Sequence, residues 1–250
     1  MDQVREKPWL AHYDPGVPPE IQVPDIPLWR FLEESARRFP QNVALEFLGK
    51  TLSYQELWGL ARRFAQGLKD LGVRPGDRVA IMLPNSPQFV IAFYGTLLAG
   101  GVGVNVNPLY TPRELRHQLA DAGAETLVIL DHLLPRYLEV EKEVPVKRVV
   151  VTGIKDFLPF PKNLLYPLKA KRDGLPLGFP KREGFHAFAE LLKRPPAEPH
   201  VPDPEDLALL QYTGGTTGLS KGAMLAHKNL VANVLQIDAW DRNCKYTVGT

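Results

Sequence analysis

One cysteine, Cys244, stands among 250 residues, so no disulfide can close within the chain and a metal–thiolate cluster is excluded. An excess of either charge is also missing. Thirty basic side chains face 28 acidic ones, and a formal net charge of +2 supplies no global field for a nucleic-acid partner. The opening residues, "MDQVREKPWL", lack the apolar core of a secretory signal, so a cytoplasmic setting is expected. No charged residue occurs from Val79 to Pro112, a stretch long enough to suggest a membrane span. Pro84, Asn85, Ser86 and Pro87 interrupt it, however, and Gly100, Gly101, Gly103, Asn105 and Asn107 interrupt it again. The stretch reads as a buried strand, a buried helix and a second buried strand.

Proline is plentiful, with 24 residues clustered in loops. Residues 1–26 read as an extended, proline-rich arm. "LWRFLEESARRF" then places Leu28, Phe31, Leu32, Ser35 and Phe39 on one helical face. "NVALEFLGKTLSY" predicts two short strands around a Gly49-Lys50 turn, and Ser53 with Glu56 forms a capping box for the next helix. From there strand and helix alternate. "RVAIML" is a strand, and Ser86-Pro87 opens a helix that Gly100 ends. "GVGVNVN" is a strand, and Thr111, Pro112 and Glu114 open a helix that stops near Gly123. "TLVIL", a helix over "DHLLPRYLEVEKE", and "KRVVVTG" follow. Near-continuous apolar strands between helices predict an α/β fold, a mostly parallel sheet flanked by helices on both faces.

Residues 155–200 show no sustained period. From Lys155 to Arg182, seven basic residues against two acidic ones, a net of +5, are interleaved with Phe157, Leu158, Phe160, Leu164, Leu165, Tyr166 and Phe179. Two readings stand: a surface that touches anionic membrane or another subunit, or an insertion whose apolar residues pack on the domain while its lysines are solvated. "RPPAEPHVPDPED" reads as a linker, and "DLALLQYT" starts a new strand. The expected organisation is an arm over 1–26, a first α/β subdomain over 27–200 with the basic apolar insertion at 155–182, and the start of a second subdomain over 201–250.

That last strand leads into "YTGGTTGLSKGAML", Tyr212 to Leu225. Backbone amides in a glycine-rich turn can converge on an anion because no Cβ blocks the approach. Hydroxyls add donors and a lysine adds a point charge. Thr213, Gly214, Gly215, Thr216, Thr217, Gly218, Ser220 and Lys221 therefore read as a polyphosphate cradle. It is not a Walker loop, which needs glycine directly before the lysine and serine or threonine directly after; here Ser220 precedes Lys221 and Gly222 follows. The dinucleotide pattern fails too, since Gly101 and Gly103 are followed by Val106 where a third glycine belongs. "GAMLA" reads as a strand and "HKNLVANVLQIDAW" as a helix, so the order is strand, loop, strand, helix.

This segment closely resembles the phosphate-binding signature of the adenylate-forming (AMP-binding) superfamily, which includes acyl-CoA synthetases, peptide-synthetase adenylation domains and beetle luciferases. "TLSYQEL" (Thr51 to Leu57) and "LLAGGVGVNVNP" (Leu97 to Pro108) resemble two earlier core motifs of that group, in the right order. "PLYTPRELRHQLADAGAETLVI" continues in the manner of fatty-acyl-CoA synthetases. The resemblance implies a two-step ligase that uses ATP, magnesium and coenzyme A. A fatty-acid carboxylate attacks the α-phosphate to give an acyl-adenylate and pyrophosphate, and the coenzyme A thiol then displaces AMP. It also implies that Thr213, Gly214, Gly215, Thr216, Thr217, Gly218 and Lys221 grip the ATP phosphates. His227 matches a histidine that follows the loop in relatives, either as a neighbour of the nucleotide or substrate site or as a helix-start residue bonded to backbone.

Gly214, Ser220 and Ala226 depart from the residues common in that group; Ala226 removes a helix cap, at a cost of about 1 kcal/mol. Relatives are roughly twice as long, and their adenine-binding motifs, catalytic aspartate, hinge and late lysine lie downstream. The chain therefore reads as the truncated first part of a fatty-acid–CoA ligase, with no catalytic residue of its own, no assigned metal ligand and no activity when alone. Self-association and a peripheral contact at the inner face of the membrane through 155–182 are further expectations. An adenylating enzyme for an aryl or peptide-type acid, or a non-catalytic interaction module, is the alternative.

Overall fold

The computed structural model describes residues 7–213 and 220–241. In chain order it contains α1 (Arg30–Arg38), β1 (Val43–Phe47), β2 (Lys50–Ser53), α2 (Tyr54–Asp70), β3 (Arg78–Met82), α3 (Pro87–Ala99), β4 (Val102–Asn105), α4 (Pro112–Ala122) and β5 (Thr126–Leu130). These are followed by α5 (Leu134–Leu138), β6 (Arg148–Thr152), α6 (Lys162–Arg172), β7 (Phe185–Ala187), α7 (Phe188–Leu191), β8 (Leu207–Thr213), β9 (Lys221–Ala226) and α8 (His227–Asp241). Seven strands form one sheet in the order β7-β6-β5-β3-β4-β8-β9. All its neighbours run parallel except β9, which returns antiparallel to β8. β1 and β2 make a separate antiparallel ribbon that turns at Leu48 and Gly49, both at positive φ.

Local chemistry explains the helix ends. The Ser53 hydroxyl accepts from the Glu56 amide while the Glu56 carboxylate accepts from the Ser53 amide, and Thr111 and Glu114 do the same for α4. The Ser86 hydroxyl caps α3, with Pro87 at its first position, and Gly100 and Gly123 end α3 and α4 in the left-handed region. The charge-free stretch is β3, α3 and β4. Val79 to Met82 are fully buried, and α3 buries Ile91, Leu97 and Leu98 between the sheet and α2. Where α2 and α3 meet, a Cβ on Gly95 would lie 2.7 Å from the Phe64 ring, so only glycine allows this approach. Among the described residues no helix is long and apolar enough to cross a membrane.

Four expectations are revised. The arm contains a short 3₁₀ turn at Pro8–His12, and its Tyr13 ring packs against Trp240 of α8 with centroids 5.2 Å apart. The helix expected over "DHLLPRYLEVEKE" is reduced to a 3₁₀ turn at Asp131–Leu133 and the five residues of α5. Segment 155–200, without a sustained period in its sequence, is regular in part. It forms α6, the edge strand β7 and α7, and Val149 to Val151 draw β7 into the sheet. The boundary expected at residue 200 falls inside one sheet, because β8 pairs in parallel with β4 through Gly103, Val104 and Asn105. The proline-rich stretch before β8 is a pinned crossover. Arg62 Nε donates to the Ala197 carbonyl at 2.8 Å, Lys69 Nζ to that of Glu198 at 2.9 Å, and Trp29 Nε1 to that of His200 at 3.1 Å. Proline removes amide donors from such a segment, but its carbonyls remain available to the side chains beneath.

Candidate functional site

β8 is apolar for its first residues and polar at its carboxyl end, where the segment leaves the buried sheet. Gln211 accepts from Asn105 Nδ2 at 2.9 Å, joining the carboxyl ends of β8 and β4. α4 then braces both strands. Gln118 Nε2 donates to the Asn105 carbonyl at 2.7 Å, the Tyr212 hydroxyl donates to Asp121 Oδ2 at 2.5 Å, and His117 Nε2 lies 3.3 Å from the Ser220 carbonyl. Burial, followed by the accepting Asp121 carboxylate, pushes the Tyr212 phenol up, so the phenol keeps its proton and remains the donor of the brace. Gly222 of β9 packs on that ring, and a Cβ there would lie 2.9 Å from Tyr212 Cε2.

The brace holds the two ends of the glycine-rich segment. Thr213 and Lys221 are register partners across the β8–β9 hairpin, and both are exposed. A hydroxyl and an ammonium thus leave the sheet side by side at the carboxyl edge of a parallel sheet. Open α/β sheets bind ligands at that edge, near the point where successive connections change direction. Here β4 lies on one side of β3 and β5 on the other. Gly214, Gly215, Thr216, Thr217 and Gly218 lie outside the described residues. The donor set at the described ends suits an anion. Among the described residues no group of three His, Cys, Asp or Glu side chains could hold a metal ion.

His227 is not part of this constellation. The register that pairs Thr213 with Lys221 pairs Leu207 with Ala226, so His227 begins α8 at the opposite end of the hairpin. At about 3.3 Å of rise per residue, the length of β8 puts it about 20 Å away. The side chain is buried, and Nδ1 accepts from the Leu28 amide at 3.2 Å. Burial pushes its pKa down to about 4, with nearby His200 acting in the same direction against Asp206. Of the two readings of this histidine, the geometry matches the residue bonded to backbone and places it away from the candidate phosphate site.

Sequence reading passed over Asn105, His117, Gln118, Asp121, Gln211 and Tyr212. A polar residue closing an apolar parallel strand, as Asn105 and Gln211 do, was a usable signal. Asp121 had none, because its partner is 91 residues away.

The model of a family described as AMP-binding enzyme matches residues 32–248. The long-chain-fatty-acid–CoA ligase of Bacillus subtilis (strain 168) is 44% identical over 239 residues, covering 94% of this chain and 42% of that protein. The long-chain-fatty-acid–CoA ligase of Escherichia coli O157:H7 is 39% identical over 244 residues, 94% of this chain and 43% of that protein. Among solved structures, a long-chain-fatty-acid–CoA ligase from Archaeoglobus fulgidus superposes with a TM-score of 0.72 at 29% identity, over 91% of this chain and 42% of that one. The chain thus spans less than half the length of these relatives.

Proposed function

We propose, from the premise that this chain belongs to the AMP-binding enzyme family, that the whole protein is a long-chain-fatty-acid–CoA ligase and that these 250 residues hold its phosphate grip. One observation carries the assignment of the grip: the paired, exposed Thr213 and Lys221 at the carboxyl edge of the sheet, with the glycine- and threonine-rich segment between them. Thr213, Gly214, Gly215, Thr216, Thr217, Gly218 and Lys221 would bind the β- and γ-phosphates of ATP. Lys221 neutralises charge, hydroxyls and amides orient the chain of phosphates, and the tyrosine–aspartate brace keeps the two ends in register. Such positioning and charge neutralisation is the larger part of catalysis at phosphorus. Magnesium fits as an ion carried on the phosphate oxygens, since it is commonly held by substrate phosphates and few protein ligands. When bound there it offsets phosphate charge. Coenzyme A is the second co-substrate in this reading.

A fatty acid partitions into lipid, so the reading extends to a cytoplasmic protein that meets the inner face of the membrane peripherally. Met224 of β9 and Ile237 of α8 stand in solvent, which supports self-association of the 250-residue chain. Pyrophosphate exchange into ATP tests the assignment. The full-length enzyme should exchange with palmitate and not with benzoate, and the 250-residue chain should stay at background. Preference for benzoate would move the assignment to an aryl-acid enzyme, and robust exchange by the short chain would overturn its assignment as a grip without catalytic machinery.

A further inference from the structure

Amphipathic helices on a globular surface usually turn their leucines inward. α6 does the reverse. Asn163, Tyr166, Pro167 and Ala170 face the domain, and Ala170 is buried. Leu164, Leu165 and Leu168 face solvent at 65, 57 and 69% exposure, and Phe160, just before the helix, is 78% exposed. Helical spacing sets Lys162 and Lys169 on one flank of this strip and Lys171 on the other, with Arg172 one turn beyond Leu168. No acidic residue occurs within α6. A second element joins the strip. Lys162 Nζ donates to the Leu48 carbonyl at 2.8 Å, holding the β1–β2 turn beside the helix, and Leu48 is itself 56% exposed.

Single exposed leucines are ordinary, but a continuous apolar strip with basic flanks on both sides is not. It is the pattern of a helix lying in the plane of a lipid interface, leucines in the acyl boundary and lysines at the headgroups. Charge argues against a second copy as the occupant, since apposed faces would set lysine flank against lysine flank. It favours an anionic bilayer. The segment from Lys155 to Arg182 carries a net of +5, seven basic against two acidic residues, within a chain whose total is +2; by difference the rest carries −3 and would be held off the same surface.

We infer that the outer face of α6, with Phe160 and the Leu48 turn, is a docking surface for anionic phospholipid bilayers. The inference rests on the reading of a peripheral membrane contact and names its surface. Flotation of the 250-residue chain with vesicles tests it. Vesicles of equal parts phosphatidylcholine and phosphatidylglycerol should carry the chain, and vesicles of phosphatidylcholine alone should carry far less. Leu164→Ser with Leu168→Ser should lower partitioning about 100-fold, since a leucine passing from water to lipid counts for at least tenfold. Lys169→Gln with Lys171→Gln should lower it about 25-fold on the anionic vesicles only, at about fivefold per basic residue. Leu48→Ser alone should lower it about tenfold. These side chains are exposed, so melting temperatures should be unchanged. Flotation that ignores all three variants would overturn the surface and leave the membrane contact standing. No flotation on either vesicle would overturn the contact as well. Variants that change the chain's mass in solution rather than its flotation would assign the strip to a second copy.

Discussion

The two ends of the β8–β9 hairpin are built from the same two strands and do opposite things. At one end Thr213 and Lys221 stand exposed, side by side, with their charge and hydroxyl directed to solvent. At the other end His227 is buried, uncharged near neutral pH and bonded to the backbone of Leu28, just before α1. Polar chemistry by itself therefore does not mark a site. The useful distinction is whether a polar group's bonding capacity is spent on the fold or left open. Tyr212 and Asp121 lie between these cases, since their bond is spent but it positions the open end.

The largest expected effect breaks the exposed end. In the full-length enzyme Lys221→Ala should lower kcat/KM about 100-fold or more, with the melting temperature unchanged, because removing a preorganised charge partner costs about 3 kcal/mol in the transition state. Loss of stability without loss of catalysis would make Lys221 part of the fold.

The buried end should show the reverse, stability without catalysis. The His227 pKa is depressed from 6.5 to about 4, so its neutral form belongs to the folded state. Its contribution is fully present above pH 6.5 and is lost as pH falls from there through about 4, on the order of 3 kcal/mol in all. His227→Asn keeps an acceptor for the Leu28 amide and removes the titration. Urea melts across that pH range should lose most of their slope in the variant, and an unchanged slope would assign it to other groups.

Gly222→Ala tests the brace between the two ends. Its Cβ would press on the Tyr212 ring, and overpacking of this kind costs about 1–3 kcal/mol, readable as a lower denaturation midpoint. The smallest effect is a gain. The Ala226 amide already donates to Asn229 Oδ1 at 2.8 Å, but alanine has no hydroxyl to cap α8 in return. Ala226→Ser should add about 0.5–1 kcal/mol of stability.

Much of the fold was legible because its signals are local. Ser53 with Glu56, Thr111 with Glu114, and the glycines after α3 and α4 each settle a helix end through atoms at most a few residues apart. The apolar runs of β3, β5 and β8 marked buried parallel strands for the same reason. The two strands that flank the glycine-rich segment, β8 and β9, were readable as well, since composition and spacing within each carry them. The edge strand β7 was missed because its three residues are too few to show a period, and pairing with β6 is what orders them.

Amino-acid sequence alone thus determined the alternation of strands and helices, their caps and the run of glycines, hydroxyls and one lysine from Thr213 to Lys221 on which the proposed phosphate grip rests. Tertiary structure decided what no local pattern could encode. It set His227 against Leu28 across 199 residues, Tyr212 against Asp121 across 91, and Lys162 against the Leu48 turn across 114. It also turned the leucines of α6 outward, because Ala170 and its neighbours fill the inner face. The physical reason is the range of the interactions. A cap or a turn is closed by bonds within a few residues, whereas burial and long-range bonds depend on which surfaces the folded sheet brings together.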